Sequence, residues 1–285
     1  MAGSRESSGP RPRALVTGAS AGIGLAFAER LARDGYELVL VARRRERLEA
    51  LAKRLGGSHE TAVDVLVADL TDAGDLLTVE QRVAAVPGLE LLVNSAGFGT
   101  AGSFRALDPD TEEREILLNC LALVRLTRAA LPPMVKRGSG GVINVSSMAG
   151  FLPSPYNATY GATKAFVNSF TEALAEELRA TGVAVQALCP GFTRTEFQEV
   201  ADVDTSTIPG FAWMEPEPVV DASLAALKAR DVVCVPGLGN RVASWTARSL
   251  PRSLVARAMG AALASRYDSA SSTKPAAGEA PRKRK

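Results

Sequence analysis

The stretch Ala14-Leu15-Val16-Thr17-Gly18-Ala19-Ser20-Ala21-Gly22-Ile23-Gly24 decides the fold of this chain. A short apolar run passes through three glycines into a helical pattern, which predicts a buried strand, a tight turn and a helix start. Glycines let the backbone turn sharply and let a ligand approach it closely. The helix start then offers unpaired N–H groups and a positive dipole end to an anion. The stretch therefore predicts a phosphate site, with a plain structural turn as the alternative.

Outward from this stretch, short β-branched runs alternate with longer helical patterns, which predicts βαβ units and a parallel sheet. The predicted strands are Ala14–Thr17, Glu37–Ala42, Ala62–Asp69, Leu89–Asn94, Gly141–Ser146, Val183–Cys189 and Val232–Val235. The predicted helices are Ile23–Asp34, Arg44–Leu55, Ala73–Ala85, Thr111–Lys136, Ala158–Ala180 and Pro218–Ala229. We expect an α/β fold, a single Rossmann-like doubly wound domain whose seven-stranded parallel sheet carries helices on both faces.

This domain is expected over residues 13–237. The chain has 285 residues, more than the ~150 typical of one domain, but it shows no internal repeat and no interdomain linker. Residues 1–12 are polar and contain proline, which predicts a disordered N-terminal arm. Residues 238–267 are basic and amphipathic, which predicts a helical extension, and residues 268–285 are expected to form a disordered basic tail.

Composition and charge exclude several classes of protein. A net charge of +2 argues against a nucleic-acid partner. Cys120, Cys189 and Cys234 form no CxxC pair and have only His59 to join them, so no metal site is expected. Buried inert thiols and the absence of an apolar signal sequence favour a reducing, cytoplasmic location. No uninterrupted apolar run approaches 18 residues, so no transmembrane segment is expected.

The end of the second strand indicates which dinucleotide is bound. NAD-binding folds usually place an acidic residue here, on the ribose 2′-hydroxyl. This chain has Ala42 in that place, and Arg43 follows. A guanidinium suits a 2′-phosphate through charge-assisted hydrogen bonds. We therefore expect NADP(H) rather than NAD(H), with Arg43 as the main contact and Ser20 as a helper; a solvated helix start is the alternative for these arginines.

Tyr160 and Lys164 stand four residues apart on the predicted helix Ala158–Ala180. Residues at that spacing lie on one helix face. A phenol titrates near pKa ~10, and a neighbouring ammonium lowers that pKa. The pair is therefore a candidate proton donor and acceptor, although the same spacing is common on helix surfaces.

Together these motifs resemble the short-chain dehydrogenase/reductase superfamily, from Arg13 to about Pro236. Thr17-Gly18-x-x-x-Gly22-x-Gly24 matches its cofactor motif. Further matches are Asp69-Leu70, Asn94-Ser95-Ala96-Gly97, Asn119, Ser147 at 13 residues before Tyr160, and Pro190-Gly191-Phe192-Thr193-x-Thr195. Ser95 departs from the family's usual asparagine.

The resemblance implies roles for these residues. Tyr160 would donate the proton, Lys164 would lower its pKa, Ser147 would stabilise the developing alkoxide, and Asn119 would hold a water that links Lys164 to solvent. The cofactor would be held by Gly18, Ser20, Gly22, Ile23, Gly24, Arg43, Asp69, Leu70, Asn94, Ala96, Gly97, Tyr160, Lys164, Pro190, Gly191, Phe192, Thr193 and Thr195. Simpler alternatives exist: Ser147 could end a strand, Asn119 could satisfy buried backbone at a helix kink, and Asp69 could cap a helix near Thr71.

The substrate is less clearly indicated. In this family the stretch after Pro190-Gly191 is a flap, and apolar residues there and nearby suggest a lipophilic carbonyl or alcohol: Phe98, Phe151, Tyr156, Phe197, Phe211, Trp213 and Met214. The extension 238–267 is expected to cover the pocket or pack on another subunit, with peripheral membrane contact as an alternative. The family favours homodimers or homotetramers built on the fourth and fifth helices. An NADP(H)-binding sensor without turnover is the alternative function, although such proteins commonly lose the Tyr–Lys pair.

Overall fold

The computed structural model describes residues 11–59, 61–201 and 208–270. Seven strands form one sheet in which every neighbouring pair is parallel. They are β1 (Arg13–Thr17), β2 (Glu37–Ala42), β3 (Val63–Val67), β4 (Leu89–Asn94), β5 (Gly140–Val145), β6 (Val183–Leu188) and β7 (Val233–Cys234). The order β3-β2-β1-β4-β5-β6-β7 reverses direction between β1 and β4, and such a switch point opens a crevice at the carboxyl ends of the strands. The predicted fold class is confirmed.

The described part of the chain holds ten α-helices. They are α1 (Gly22–Arg33), α2 (Arg45–His59), α3 (Ala73–Ala85), α4 (Pro109–Ile116), α5 (Leu123–Arg137), α6 (Ala158–Glu177), α7 (Phe197–Val200), α8 (Pro216–Lys228), α9 (Leu238–Ser249) and α10 (Arg252–Ala270). The single helix predicted over Thr111–Lys136 is interrupted, because the π-helical turn Leu117–Ala122 joins α4 to α5. Such a turn inserts an extra residue and often marks a functional site.

Each face of the sheet has its own apolar core. Leu38 and Leu40 of β2 belong to the core beneath α1, α2 and α8. Val39 and Val41 belong to the opposite core, beneath α3 and α5. Successive strand residues point to opposite faces, so a strand that is apolar at every position requires helices on both sides. This arrangement leaves the carboxyl edge of the sheet open for a site.

The segment after β7 is helical. Two helices, α9 and α10, are separated at Leu250 and Pro251. Helix α10 continues to Ala270, beyond the predicted start of the disordered tail at residue 268. No glycine or proline lies between Asp268 and Ala270, so no helix-breaking residue stops α10 at the predicted boundary. Residues 1–10 and 271–285, predicted as disordered ends, lie outside the described residues.

One helical run among the described residues, Pro109–Arg137, is long and apolar enough by composition to cross a membrane, although no such segment was predicted. Its apolar side is used inside the protein. Leu126, Ala130 and Met134 are fully buried in the core against the sheet. The run is therefore a core helix in this fold.

Candidate active site

The glycine-rich turn lies at the carboxyl end of β1 and has no room for side chains. Gly18 and Gly22 have φ of +67° and +55°, a region that favours glycine. A Cβ on Gly24 would stand 2.4 Å from the carbonyl oxygen of Gly18. A Cβ on Gly18 would stand 2.9 Å from the backbone of Ala96. All three glycines are therefore required by the backbone itself.

Thr17 ties this turn to the end of β4. Its Oγ1 accepts hydrogen bonds from the backbone N–H groups of Ser95 and Ala96, at 3.0 and 3.1 Å. The amide of Asn94 is directed into the protein instead, where its Nδ2 lies 2.9 Å from Oδ1 of Asn144. The structure thus brings Ala96 and Gly97 to the crevice, whereas the Asn94 side chain stabilises the sheet beneath it.

The residues around the turn fit a dinucleotide. Ala21, at the N-terminal cap of α1, has no side chain to bind the first N–H groups of the helix, and these are the groups that attract phosphate. Thr195, from the segment after β6, approaches the same turn, since a Cβ on Gly22 would lie 3.0 Å from its Cγ2. Two of the predicted cofactor motifs, distant in sequence, therefore meet at one point.

The first two arginines after β2 contact different partners. Ser20 contacts Arg44, not Arg43: the Arg44 Nε and Nη2 atoms lie 3.1 and 3.0 Å from the Ser20 hydroxyl. Arg44 also pairs with Glu196 of the flap at 2.7 Å. Arg43 is more exposed and lies 3.8 Å from a carboxylate oxygen of Asp69. Helix α2 begins one residue later than predicted, which frees Arg44 to turn back toward Ser20.

Asp69 closes a turn and does not cap a helix. Its Oδ1 accepts hydrogen bonds from the backbone and hydroxyl of Thr71 at 3.0 and 2.8 Å, and Asp72 provides the cap of α3. Partial burial acts to raise the pKa of Asp69, but Thr71 and the nearby Arg43 and Arg114 guanidinium groups outweigh it and lower that pKa. Asp69 stays ionised at the edge of the crevice, next to the buried Leu70.

Ser147, Tyr160 and Lys164 meet beside this crevice. Ser147 lies two residues after the end of β5, and its Oγ accepts a hydrogen bond from the backbone N–H of Ala149 at 3.1 Å. Its hydroxyl also interacts with the Tyr160 phenol, and this interaction acts to lower the pKa of Tyr160. Lys164 is 6% exposed; its Nζ donates to the carbonyl of Val145 at 2.9 Å and lies 5.6 Å from the centre of the Tyr160 ring. The neighbouring Ser146 binds the backbone of Lys164 instead.

The two central pKa values differ from the expectation. Burial raises the pKa of Tyr160 to about 12, against the opposing hydrogen bond from Ser147. Burial also lowers the pKa of Lys164 to about 8. In the protein alone, desolvation of the phenol dominates, because the Lys164 ammonium is bound to Val145 rather than to the phenol oxygen. Tyr160 is thus a protonated acid at neutral pH.

Asn119 is buried in the π-helical turn. Its Nδ2 donates to the carbonyl of Phe98 at 2.8 Å and to Thr163 Oγ1 at 3.1 Å, while the Phe98 N–H donates to its Oδ1 at 3.2 Å. These bonds hold the loop after β4 against α6. The structure therefore shows the backbone-satisfying role for this side chain, and the role in a water relay stays a prediction.

The flap lies against the candidate catalytic residues. The Phe197 ring packs on Tyr160, with centroids 5.2 Å apart. Trp213 packs on Phe192 at 5.6 Å and under the guanidinium of Arg194. Met214 and Thr193 form a β-bridge that holds the two ends of the flap together. Phe211, predicted near the pocket, is 91% exposed.

The C-terminal helices cover the same side of the molecule. Tyr267 of α10 stacks on Tyr156, with ring centroids 5.0 Å apart. Asn240 of α9 lies so close to Gly191 that a Cβ there would stand 2.7 Å from its Nδ2. Helix α9 also packs on the turn Met148–Phe151 that follows Ser147. The extension therefore closes over the site, which agrees with one of the two preferred expectations.

Several residues of the site were not predicted from the sequence. Arg44 and Asn240 are brought in by tertiary contacts and had no local signal. Glu112 and Glu115 are buried, and Glu112 bonds to Thr159, the neighbour of Tyr160. The two glutamates stand two helical turns and one helical turn before Asn119, and this spacing is a signal that the sequence contains.

Comparison with known proteins agrees with this architecture. The model of the short chain dehydrogenase family matches residues 12–205. A very-long-chain 3-oxoacyl-CoA reductase from Anas platyrhynchos is 32% identical over 250 residues, which cover 85% of this chain and 77% of that protein. A solved short-chain dehydrogenase from Sphingobium yanoikuyae in complex with NADPH is 39% identical, with a TM-score of 0.77 over 95% of this chain and 100% of that one.

A second solved structure points the same way. It is a bulky-bulky ketone specific alcohol dehydrogenase from Comamonas testosteroni, 34% identical, with a TM-score of 0.72 over 94% of this chain and 97% of that one. Both structures extend over the C-terminal helices as well as the sheet. The chain therefore belongs to the short-chain dehydrogenase family of oxidoreductases.

Proposed function

We propose that this protein is an NADP(H)-dependent oxidoreductase that interconverts a ketone or aldehyde and the corresponding alcohol. The observation that carries the proposal is the meeting of Ser147, Tyr160 and Lys164 beside the glycine-rich turn, at the switch point of the sheet. When bound, the nicotinamide supplies the hydride for reduction or accepts it in the reverse reaction. The protein supplies the proton, the position and the electrostatic environment.

Tyr160 is the proton donor to the carbonyl oxygen. Its raised pKa of about 12 keeps the phenol protonated in the resting enzyme, as an acid must be. Ser147 receives the Ala149 N–H, so its own hydroxyl proton is available to the phenol or to the developing alkoxide. Lys164 places a positive charge over the same ring, which stabilises the phenolate as it forms.

The basic residues after β2 support a preference for NADP(H). Ser20 orients Arg44 at the edge of the glycine-rich turn that would hold the pyrophosphate. Arg43 precedes Arg44 directly in the chain. Ala42 offers no carboxylate to a ribose 2′-hydroxyl. The Sphingobium relative is described in complex with NADPH. We infer that Arg44 and Ser20 contact the 2′-phosphate, with Arg43 beside them.

The substrate is inferred to be a bulky, lipophilic carbonyl compound or alcohol. Aromatic rings lie on this side of the site, where Phe197 packs on Tyr160 and Tyr267 of α10 stacks on Tyr156. The Comamonas relative is described as specific for bulky-bulky ketones. We further propose a cytoplasmic homodimer or homotetramer. Exposed apolar side chains on the turn before α5 and on α6 support the contact: Leu121 at 44% and Phe166 at 44%.

The test is oxidation of NADPH and NADH against a panel of bulky ketones and aldehydes, with Tyr160→Phe beside the wild type. We expect NADPH-linked turnover that falls ~10²–10⁴-fold in the variant, the usual contribution of a general acid, while NADPH binding is retained. Equal turnover by Tyr160→Phe would overturn the acid assignment. Tight NADPH binding without turnover of any carbonyl would favour a cofactor sensor instead.

A further inference from the structure

A pair of buried carboxyl groups lies beside the catalytic residues and has no part in the chemistry above. Glu112 and Glu115 of α4 are 8% and 0% exposed. The Thr100 hydroxyl lies between them, 2.6 Å from Oε1 of Glu112 and 3.0 Å from Oε2 of Glu115. Thr159, next to Tyr160 on α6, bonds to the other oxygen of Glu112.

The number of protons in this cluster fixes where the charge lies. The Thr100 hydroxyl has one proton and can donate it to one carboxylate only. Glu112 makes the shorter contact and also receives the Thr159 hydroxyl, so the negative charge belongs there. The contact between Thr100 and Glu115 then requires a proton on Glu115. Burial raises the pKa of Glu115 to about 7; the hydrogen bonds from Thr100 oppose this rise and the Glu112 charge adds to it.

Glu115 interacts electrostatically with the groups that handle the proton of the reaction. The titratable groups that interact with it are Glu112 on its own helix, Cys120 in the π-helical turn, and Tyr160 and Lys164 on α6. Its second oxygen, Oε1, is buried and has no hydrogen-bond partner among the described residues. A buried oxygen without a hydrogen-bond partner lowers the stability of the folded protein. Such a group therefore calls for an explanation, and a functional role is one.

The other end of the cluster reaches the surface. Glu112 lines an open groove together with Phe104, Leu107 and Ile116. The oxygens of Glu112, Thr100 and Glu115 thus form a continuous hydrogen-bonded path from this groove to the interior.

We propose that Glu115 is the relay acid that returns a proton to the Lys164–Tyr160 pair in each reductive turnover; this inference rests on the function proposed above. Glu112 and Thr100 then reprotonate Glu115 from the groove. The proton balance is simple. The Tyr160 O–H bond breaks and the product O–H bond forms. Lys164 passes a proton to the phenolate and takes one from Glu115, whose carboxylate recovers a proton through Thr100 and Glu112. One solvent proton enters per carbonyl reduced.

The decisive variant is Glu115→Gln, which keeps the size of the side chain and removes its exchangeable acid. We measure kcat and KM for NADPH-dependent ketone reduction between pH 5.5 and 9. In the wild type, kcat should fall in two steps as the pH rises, near the pKa of about 7 for Glu115 and near that of about 8 for Lys164. In Glu115→Gln the lower step should vanish and kcat at pH 6 should drop ~10-fold, with the KM for NADPH unchanged.

Two further comparisons separate the relay from a structural effect. Asp110→Asn removes one charge from the exposed start of the same helix and should change neither kcat nor its pH profile. Thr100→Val cuts the path while leaving Glu115 in place; it should lower kcat as Glu115→Gln does, and Thr100→Ser should restore it. The Thr100 pair decides the matter even if Glu115→Gln fails to fold.

The possible failures are distinguishable. If the wild type reduces the ketone, and Glu115→Gln and Thr100→Val keep its kcat and pH profile, the relay is overturned and the proposed function stands. Loss of NADPH affinity in both variants, with kcat intact, also overturns it, because the cluster would then act on binding. No carbonyl reduction by the wild type overturns the proposed function and the relay with it.

Discussion

The cofactor side and the substrate side of this crevice are built on different principles. On the cofactor side, at the ends of β1 and β4, the contacts are made by backbone: a Cβ on Gly18 or Gly24 would collide with main-chain atoms. On the substrate side the contacts are between side chains from distant segments, such as Tyr156 with Tyr267. Backbone cannot move aside without unfolding the turn, whereas side chains can be exchanged for others of similar volume.

This difference teaches where change is tolerated. The cofactor side admits almost no substitution at its glycines, which suits a ligand that is the same for many reactions. The substrate side can be repacked without loss of the sheet, which suits a pocket that must differ from one enzyme to the next. Three predictions test that contrast, from the largest expected effect to the smallest.

The largest effect is expected from Gly24→Ala on the cofactor side. The added methyl would stand 2.4 Å from the Gly18 carbonyl oxygen, so the turn must open. Opening it should remove several backbone hydrogen bonds to the cofactor, of about 1 kcal/mol each. The affinity for NADPH should therefore fall at least ~100-fold. Fluorescence titration with NADPH measures this. Gly57→Ala is the matched control: nothing lies within 4 Å of its added Cβ, and a helical Gly→Ala change should raise the unfolding free energy by ~0.5–1 kcal/mol. Normal NADPH affinity in Gly24→Ala would break the comparison.

A smaller effect is expected where side chains serve the cofactor. Arg44→Ala removes the guanidinium that Ser20 orients. Loss of its charged hydrogen bond to the 2′-phosphate should cost ~1.5–3 kcal/mol. The Kd for NADPH should therefore rise ~10–100-fold. The Kd for NADH should stay the same. Arg45→Ala removes an arginine that pairs with Glu49, both side chains being exposed, and should change either Kd less than ~2-fold. An equal loss for NADPH and NADH would contradict a role at the 2′-phosphate.

The smallest effect is expected on the substrate side. Phe197→Ala removes the ring that packs on Tyr160. Because an aromatic pair contributes ~0.5–1.5 kcal/mol, the KM for a bulky ketone should rise ~2–10-fold. The Kd for NADPH should be unchanged. Phe211→Ala, at a residue 91% exposed, is the control and should leave both constants as they are. If Phe197→Ala weakened NADPH binding as strongly as ketone binding, the two sides would not be separable.

Local sequence patterns determined much of this protein. The two-sided apolar pattern of β2 required a sheet covered on both faces, and the spacing of Gly18, Gly22 and Gly24 required a turn that only glycine can make. The helical spacing of Tyr160 and Lys164 placed them on one face of α6. These features depend on neighbours within a few residues, so periodicity and glycine geometry are sufficient to predict them.

Tertiary structure decided the rest. Which arginine Ser20 contacts depended on where α2 begins, a boundary that sequence periodicity locates only to within a few residues. The direction of the Tyr160 pKa shift depended on its burial, not on the distance to Lys164 along the chain. The raised pKa of Glu115 depended on its burial in the folded chain, and the cover of the site depended on Tyr267, far beyond the sheet. Desolvation and contact between distant segments arise only when the chain is folded, and no local pattern carries them.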